Sequence, residues 1–482
     1  MRTCAASCAR RGSGTPPACA PPPAPDLPGR AGTQNVTVLQ PSPEGAHPPP
    51  RLVAEQLGGC GMLTSTVRTG LRRAGAALAG AVAIALMATG CTASAAVAGS
   101  EVPIASSDLP EKTVERLESA VDHAMKAAGA PGALAAVWIP WAGAWVEGIG
   151  TTGPDSDEPV TTDMRFRVGE VTRAMTCDVL HRMADEGTVE LDDPLTKWVT
   201  SVGSLSDVTL EQLCDGTSGL GDGRDRLAAQ FAATPLRVWN PRELAAGGMA
   251  DRKRPGVEVR DSDAAYLLLG MALESASGES ADDLFEKQLV DELNLGGTSL
   301  PAPRDVSPGD PALSGWLSAG DDREAACTAP KDVTDASSSM GFTDSGATST
   351  IGDLARFGQH LALDAVDDDG ELTSRWQHAL PAGDDSYVSG AYIAGSLIGQ
   401  KGASLGYLTS VYADPQTGMT VAVALNNSAA GADLVDALAK ELAAIASKTP
   451  AADGQKQPEF GLPWTAKQLR EVVADEAVCP VD

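Results

Sequence analysis

Nine cysteines and five histidines are the side chains of this 482-residue chain best suited to nucleophilic, redox or metal chemistry. Beyond Cys91 four cysteines remain: Cys177, Cys214, Cys327 and Cys479. In an oxidising compartment an even count permits two disulfides, with three connectivities open. The chain has no Cys-x-x-Cys pair, and His123, His181, His360 and His378 lack ligand-type spacing. No zinc site and no cofactor are therefore expected. Cys177 is expected to be buried or paired with Cys214 rather than nucleophilic. Ser218, inside Thr217-Ser218-Gly219, reads as a turn residue.

Charge narrows the partners. The formal net charge is −28; residues 1–90 hold 8 of the 36 basic and 3 of the 64 acidic side chains, which leaves 28 against 61 and a net −33 for residues 91–482. A surface so acidic repels phosphate, so nucleic acid is not a partner. Residues 1–50 contain 12 of the 33 prolines and no apolar periodicity, so residues 1–61 are expected to be disordered or untranslated. Arg68, Arg72 and Arg73 precede an apolar run from Ala74 to Met87 and then Ala88-Thr89-Gly90-Cys91. A short apolar run behind a positive flank is a secretory signal, over 62–90, with translation expected to start at Met62. Small residues before a cysteine resemble a bacterial lipoprotein cleavage box, with Cys91 lipidated and 91–107 a linker. The alternative is a secreted protein in which Cys91 is incidental.

Several elements are legible in the rest. Val114, Leu117, Val121 and Met125 recur at helical spacing, and Gly129 with Pro131 stops that helix. Ala133 to Ile139 is a buried-strand run whose partner strand follows a turn. Residues 163–375 read as helices and Gly/Asp/Ser loops. Ser410 to Ala413 and Met419 to Leu425 flank a turn and form an antiparallel hairpin; Ala432 to Ser447 is an amphipathic helix. The expected fold is α+β: one antiparallel sheet built from both termini, flanked by N- and C-terminal helices, with an all-helical lobe inserted. A linker and short helix follow over 448–482.

Ordered blocks over roughly 110–447 carry a resemblance. They include Pro131-Gly132-Ala133, Phe166-Arg167-Val168-Gly169, Leu191-Asp192-Asp193-Pro194-Leu195, Thr217-Ser218-Gly219-Leu220, Pro255-Gly256, and Ser349-Thr350 with Asp353-Leu354-Ala355-Arg356-Phe357. In order and spacing, residues 108–447 resemble the serine β-lactamase and DD-peptidase superfamily, in its class C β-lactamase-like branch. The resemblance implies a two-lobed fold with a site between the lobes.

It also implies a serine at a helix start with a lysine three residues later, so that the amine on the same helix face takes the hydroxyl proton. Here those positions read Glu170-Val171-Thr172-Arg173, and no lysine in the chain has a serine three residues before it. Glutamate offers no hydroxyl, and arginine keeps its proton. The Tyr-x-Asn motif aligns with Asp261-Ser262-Asp263. The third motif, Lys or His followed by Thr-Gly, aligns with Gln400-Lys401-Gly402; Lys401 is displaced by one residue, which on a strand sends it to the opposite face.

Each substituted residue also has an ordinary role. Glu170 suits a helix N-terminus and lies three residues from Arg173, as an ion pair would require; Asp261 and Asp263 suit a loop. The sharper expectation is a remodelled polar cleft, or a carboxylate pair for acid–base work. The chain is thus expected to be a lipid-anchored protein on the outer face of the bacterial cell membrane. It would lack catalysis and bind a peptidoglycan-related or other small ligand, or an envelope protein. The alternatives are an active hydrolase (D-Ala-D-Ala carboxypeptidase, β-lactamase or esterase) using other groups, and a structural protein with a filled cleft.

Overall fold

The computed structural model describes residues 100–318, 327–459 and 461–480. The expected signal peptide and Cys91 lie outside them. In chain order, helix α1 (Glu111–Ala128) leads to strands β1 (Gly132–Ile139), β2 (Gly143–Gly150) and the short β3 (Phe166–Arg167). Helices α2 (Val171–Asp185), α3 (Arg224–Ala233) and α4 (Asp263–Ser277) make the middle lobe with shorter helices between them. The short strands β4 (Trp316–Leu317), β5 (Lys331–Asp332) and β6 (Thr348–Ser349) precede helix α5 (Ile351–Asp364). A meander follows: β7 (Leu380–Ala382), β8 (Asp385–Val388), β9 (Ala391–Ala394), β10 (Leu397–Ser404), β11 (Tyr407–Ala413) and β12 (Thr420–Leu425). Helices α6 (Ala432–Ala446) and α7 (Ala466–Asp475) end the chain.

The main sheet is antiparallel with eight strands in the order β2-β1-β12-β11-β10-β9-β8-β7. The two ends of the domain meet where Ala133 faces Leu425 and Trp138 faces Thr420. Every residue of β1 is buried because both faces of the sheet are covered. Ala133, Ala135, Val137 and Ile139 pack under the terminal helices with Leu117, Val121, Leu434 and Leu438. Leu134, Ala136 and Trp138 point the other way, into the core shared with α5 and the helical lobe.

Local signals fix the helix ends. Gly129 closes α1 in the left-handed region, its N–H donating to Lys126 O. Ser262 caps α4 by accepting from Ala265 N–H, and Thr350 caps α5 by accepting from Asp353 N–H. The tail after α6 packs back on the domain: Leu469 and Val473 of α7 are buried, and Val478 and Cys479 donate N–H groups to Ala127 O. Among the described residues no helix is long and apolar enough to cross a membrane.

Candidate functional site

The head of α2 is pressed against β10. Gly169 turns the chain at φ +57°, and a Cβ added there would meet Ala403 N at 2.7 Å. A Cβ on Gly402 would meet Glu170 N at 2.4 Å. Only glycine allows backbones to approach so closely. Glu170 therefore sits where strand, helix head and helical lobe converge.

Its carboxylate makes no cap bond to its own helix. Oε2 accepts the Ala403 N–H at 2.6 Å, and Oε1 accepts from Arg224 Nη1 at 2.5 Å. Arg224, the first residue of α3, also donates from Nη1 to Ala403 O at 3.1 Å and from Nη2 to Asp344 Oδ2 at 2.5 Å and Ser345 Oγ. Asp344, only 2% exposed, accepts on its other oxygen from Arg173 Nε at 2.8 Å. Arg173 Nη1 then reaches Asp261 Oδ1 at 2.5 Å, and its guanidinium lies 4.9 Å over the Tyr266 ring. The five charges form one chain, Asp261–Arg173–Asp344–Arg224–Glu170. The pairing of Glu170 with Arg173 suggested by their spacing is thus corrected: Arg224 takes Glu170, because Arg173 turns toward Asp344 and Asp261.

The other expected positions divide. Asp261 is 69% exposed at the outer end of the chain of charges, and Arg173 holds its carboxyl below the usual range. Asp263 is not a loop residue but the first of α4, buried, accepting from Gly223 N–H at 2.9 Å and Ala264 N–H at 2.6 Å. Burial, then the charges of Asp344 and Asp222, raise its pKa to about 7. Gln400 is buried and donates to Gly390 O at 2.6 Å, with Tyr387 Oη at 3.4 Å. Lys401 leaves the cleft for the terminal-helix face, where it donates to Asp433 at 2.7 Å. Gly402 supplies the close approach described above.

Arg224 and Asp344 were not singled out in the sequence, since neither belongs to an expected motif. Asp222-Gly223-Arg224 reads as a polar turn, and only the fold carries Arg224 to Glu170.

The electrostatics fix which groups hold their protons. Burial raises the Glu170 carboxyl from its ordinary value, opposed by Arg224, Arg173 and the Ala403 N–H. Burial opposes the charges of Arg173 and Arg224 as well, yet their carboxylate partners hold both above the ordinary arginine value. Neither can accept a proton. Tyr266 donates to Cys214 O at 2.7 Å and shares a 2.7 Å bond with Tyr387; burial first, then their mutual proximity for Tyr266, keeps these phenols protonated. A backbone N–H aimed at a helix head is the kind of donor that stabilises a developing oxyanion; the Ala403 N–H is occupied by the chain's own carboxylate.

A cavity lies on the far side of Arg224 from Glu170 and is not lined by Glu170, Arg173, Asp261 or Asp263. Arg224, Ser345 and Ala403 share this cavity of about 290 Å³ with Phe231, Met340 and Leu405.

Cys177 is bonded to Cys214, tying α2 to the short helix Leu210–Cys214; Cys327 is bonded to Cys479. Ser218 is a buried turn residue whose Oγ accepts from Leu220 N–H. His181, one turn beyond Cys177, lies 3.2 Å from the fully buried Ser389 Oγ, which also accepts from Arg375 Nε at 2.6 Å. This pair was missed because its members lie 208 residues apart. Burial and then Arg375 pull the His181 pKa to about 3, so the imidazole is neutral. Among the described residues no group of His, Cys, Asp or Glu could hold a metal ion.

Comparison with known proteins agrees with the fold. The beta-lactamase family matches residues 117–445. A D-alanyl-D-alanine-carboxypeptidase/endopeptidase, AmpH of Escherichia coli K12, is 30% identical over 222 residues, 44% of this chain and 56% of that protein. The chain thus spans about half the length of that relative. The octameric penicillin-binding protein homologue from Pyrococcus abyssi has a TM-score of 0.58 at 20% identity, covering 74% of this chain and 80% of that one. The D-stereospecific amidohydrolase from Streptomyces sp. has a TM-score of 0.54 at 23% identity, covering 64% and 94%. With the eight-stranded sheet and the family match over residues 117–445 in place, this chain belongs to the beta-lactamase family.

Proposed function

We propose that this protein is an extracytoplasmic, lipid-anchored member of its family in which the acylating site has become a binding site. One observation carries the reading: the residue at the nucleophile position is a carboxylate that accepts the Ala403 N–H and the Arg224 guanidinium. A site that catalyses acyl transfer holds a nucleophile, a base and an empty oxyanion position. This one holds a completed ion-pair chain instead. The cavity beside Arg224 supports a bound ligand over a purely structural role. The ligand is a small cell-envelope compound, such as a peptidoglycan-related one, or a segment of an envelope protein. Cys91 is the attachment point of the lipid.

The reading in which the chain shares the carboxypeptidase activity named for its Escherichia coli relative requires a nucleophile within reach of the Ala403 N–H. The test is turnover. Purified protein is incubated with a chromogenic cephalosporin and with a peptide ending in D-Ala-D-Ala. Rates equal to buffer alone are expected. Turnover that disappears in Glu170→Gln would overturn the proposal.

A further inference from the structure

The two disulfides sit in unlike surroundings. Cys177 and Cys214 are both fully buried and belong to the core where α2 meets the short helix Leu210–Cys214. Cys327 is half-buried and lines a surface groove of about 410 Å³ with Met125, Gly129, Pro131, Pro154 and Pro330. Its partner Cys479 lies four residues beyond the end of α7, with Sγ against Gly129, where a Cβ would stand 2.6 Å from it. Two hydrogen bonds fasten this stretch to α1: Val478 and Cys479 N–H each donate to Ala127 O at 3.0 Å. The neighbouring elements are seated independently. Leu469 and Val473 bury α7, and Trp316 holds β4 through N–H to Asn426 O at 3.0 Å and Nε1 to Thr152 O at 2.8 Å.

A segment held by few buried contacts opens locally long before the core does. A disulfide reached through such an opening exchanges with thiols, whereas one inside the core waits for global unfolding. We propose that Cys327–Cys479 is a reversible redox site, reduced by a dithiol while the domain stays folded. A thiolate of the dithiol attacks Cys327 Sγ and forms a mixed disulfide; the Cys327–Cys479 bond breaks, and Cys479 leaves as a thiolate that takes a proton from water. The second thiol of the reductant, giving up its proton, displaces Cys327. The dithiol is thereby oxidised to a disulfide and the protein gains two thiols. Reduction unties residues 476–480 from residues 327–330, which lead into β5, where Lys331 pairs with the cavity-lining Leu317. The site acts whether or not the cleft acylates.

The test is selective reduction of the folded protein. It is incubated with dithiothreitol, pulsed with iodoacetamide at intervals and mapped by mass spectrometry, with hydrogen exchange followed on the same samples. Cys327 and Cys479 are expected to be alkylated together, at least about tenfold faster than Cys177 and Cys214. At that stage amide exchange should rise at Val478 and Cys479 and stay unchanged along α2. Replacing the reductant with oxidised glutathione should restore the bond. The double variant Cys327→Ser/Cys479→Ser should show the same faster exchange at positions 478 and 479 without any reductant. Alkylation of all four cysteines at one rate, or of none until urea unfolds the domain, would overturn the proposal. So would selective reduction that leaves exchange at Val478 and Cys479 unchanged, or a bond that does not re-form.

Discussion

Asp344 is the centre of the ion-pair chain, and its removal measures what that chain contributes. Its two oxygens accept from Arg173 Nε at 2.8 Å and Arg224 Nη2 at 2.5 Å, and the side chain is 2% exposed. Asp344→Ala deletes two charge-assisted hydrogen bonds, each worth about 1.5–3 kcal/mol. Removing one partner of a buried ion pair costs about 3–5 kcal/mol, because the other charge is left uncompensated. Here each arginine keeps a second carboxylate, Asp261 or Glu170. The lower end of that range, about 3 kcal/mol, is therefore expected. Urea unfolding followed by tryptophan fluorescence reads the loss as a lower midpoint at unchanged slope. In the Asp344→Ala background, Arg224→Met should cost less than it does alone, with a coupling of about 1–3 kcal/mol. A second readout is independent of stability. The negative charge of Asp344 helps raise the Asp263 pKa to about 7, so that value should fall in the variant while burial keeps it above the ordinary carboxylate range. A loss below about 1 kcal/mol, together with no coupling, would refute the picture of a buried, charged network.

Three further outcomes follow from the same structure. Restoring the serine and the lysine in Glu170→Ser/Arg173→Lys should give no penicillin adduct by intact mass, because Asp261-Ser262-Asp263 and Gln400 still lack the family's other catalytic groups; an adduct would show that those positions are dispensable. Burial raises Asp263 and Glu441 to about 7 and Asp215 to about 6, above their values in the unfolded chain. Groups so raised bind protons more tightly when folded, so stability should increase by on the order of 1 kcal/mol from pH 8 to 6.5, checked by urea midpoints across that window. Below pH 6.5 the depressed pKa of His181 opposes the gain, since its contribution is lost as pH falls toward about 3; a midpoint that falls steadily from pH 8 to 6.5 would contradict the assignment. Replacing both Cys177 and Cys214 by alanine removes a crosslink spanning 37 residues and should cost about 4 kcal/mol in the chain-entropy account, again read from the urea midpoint; a change below about 1 kcal/mol would contradict it.

The sheet was legible where the residues repeat a simple pattern. The apolar run from Ala133 to Ile139 is β1, and the residues around the turn at Asp414 are β11 and β12, because a strand covered on both faces is apolar throughout. The helix ends at Gly129 and Ser262 follow from local backbone chemistry. Strands β7, β8 and β9 were not legible from composition: they are three or four residues each, partly exposed and broken by glycine. The site divides the same way. Glu170, Arg173 and Asp261 were found because a motif order marks their positions. Their true partners were not, since Arg224 and Asp344 lie 54 and 174 residues from Glu170 and meet it only when the helical lobe closes on β10. Ion pairs between distant loops leave no periodic trace in a sequence.

The proposed loss of acylation rests on one carboxylate, Glu170, which stands at the head of α2 and occupies the Ala403 N–H. Intact-mass spectrometry of the purified protein, after excess penicillin and separately after excess fluorophosphonate, puts that proposal to the test. An unchanged mass under both reagents is the predicted result. A stoichiometric adduct that peptide mapping places within reach of the Ala403 N–H would contradict it.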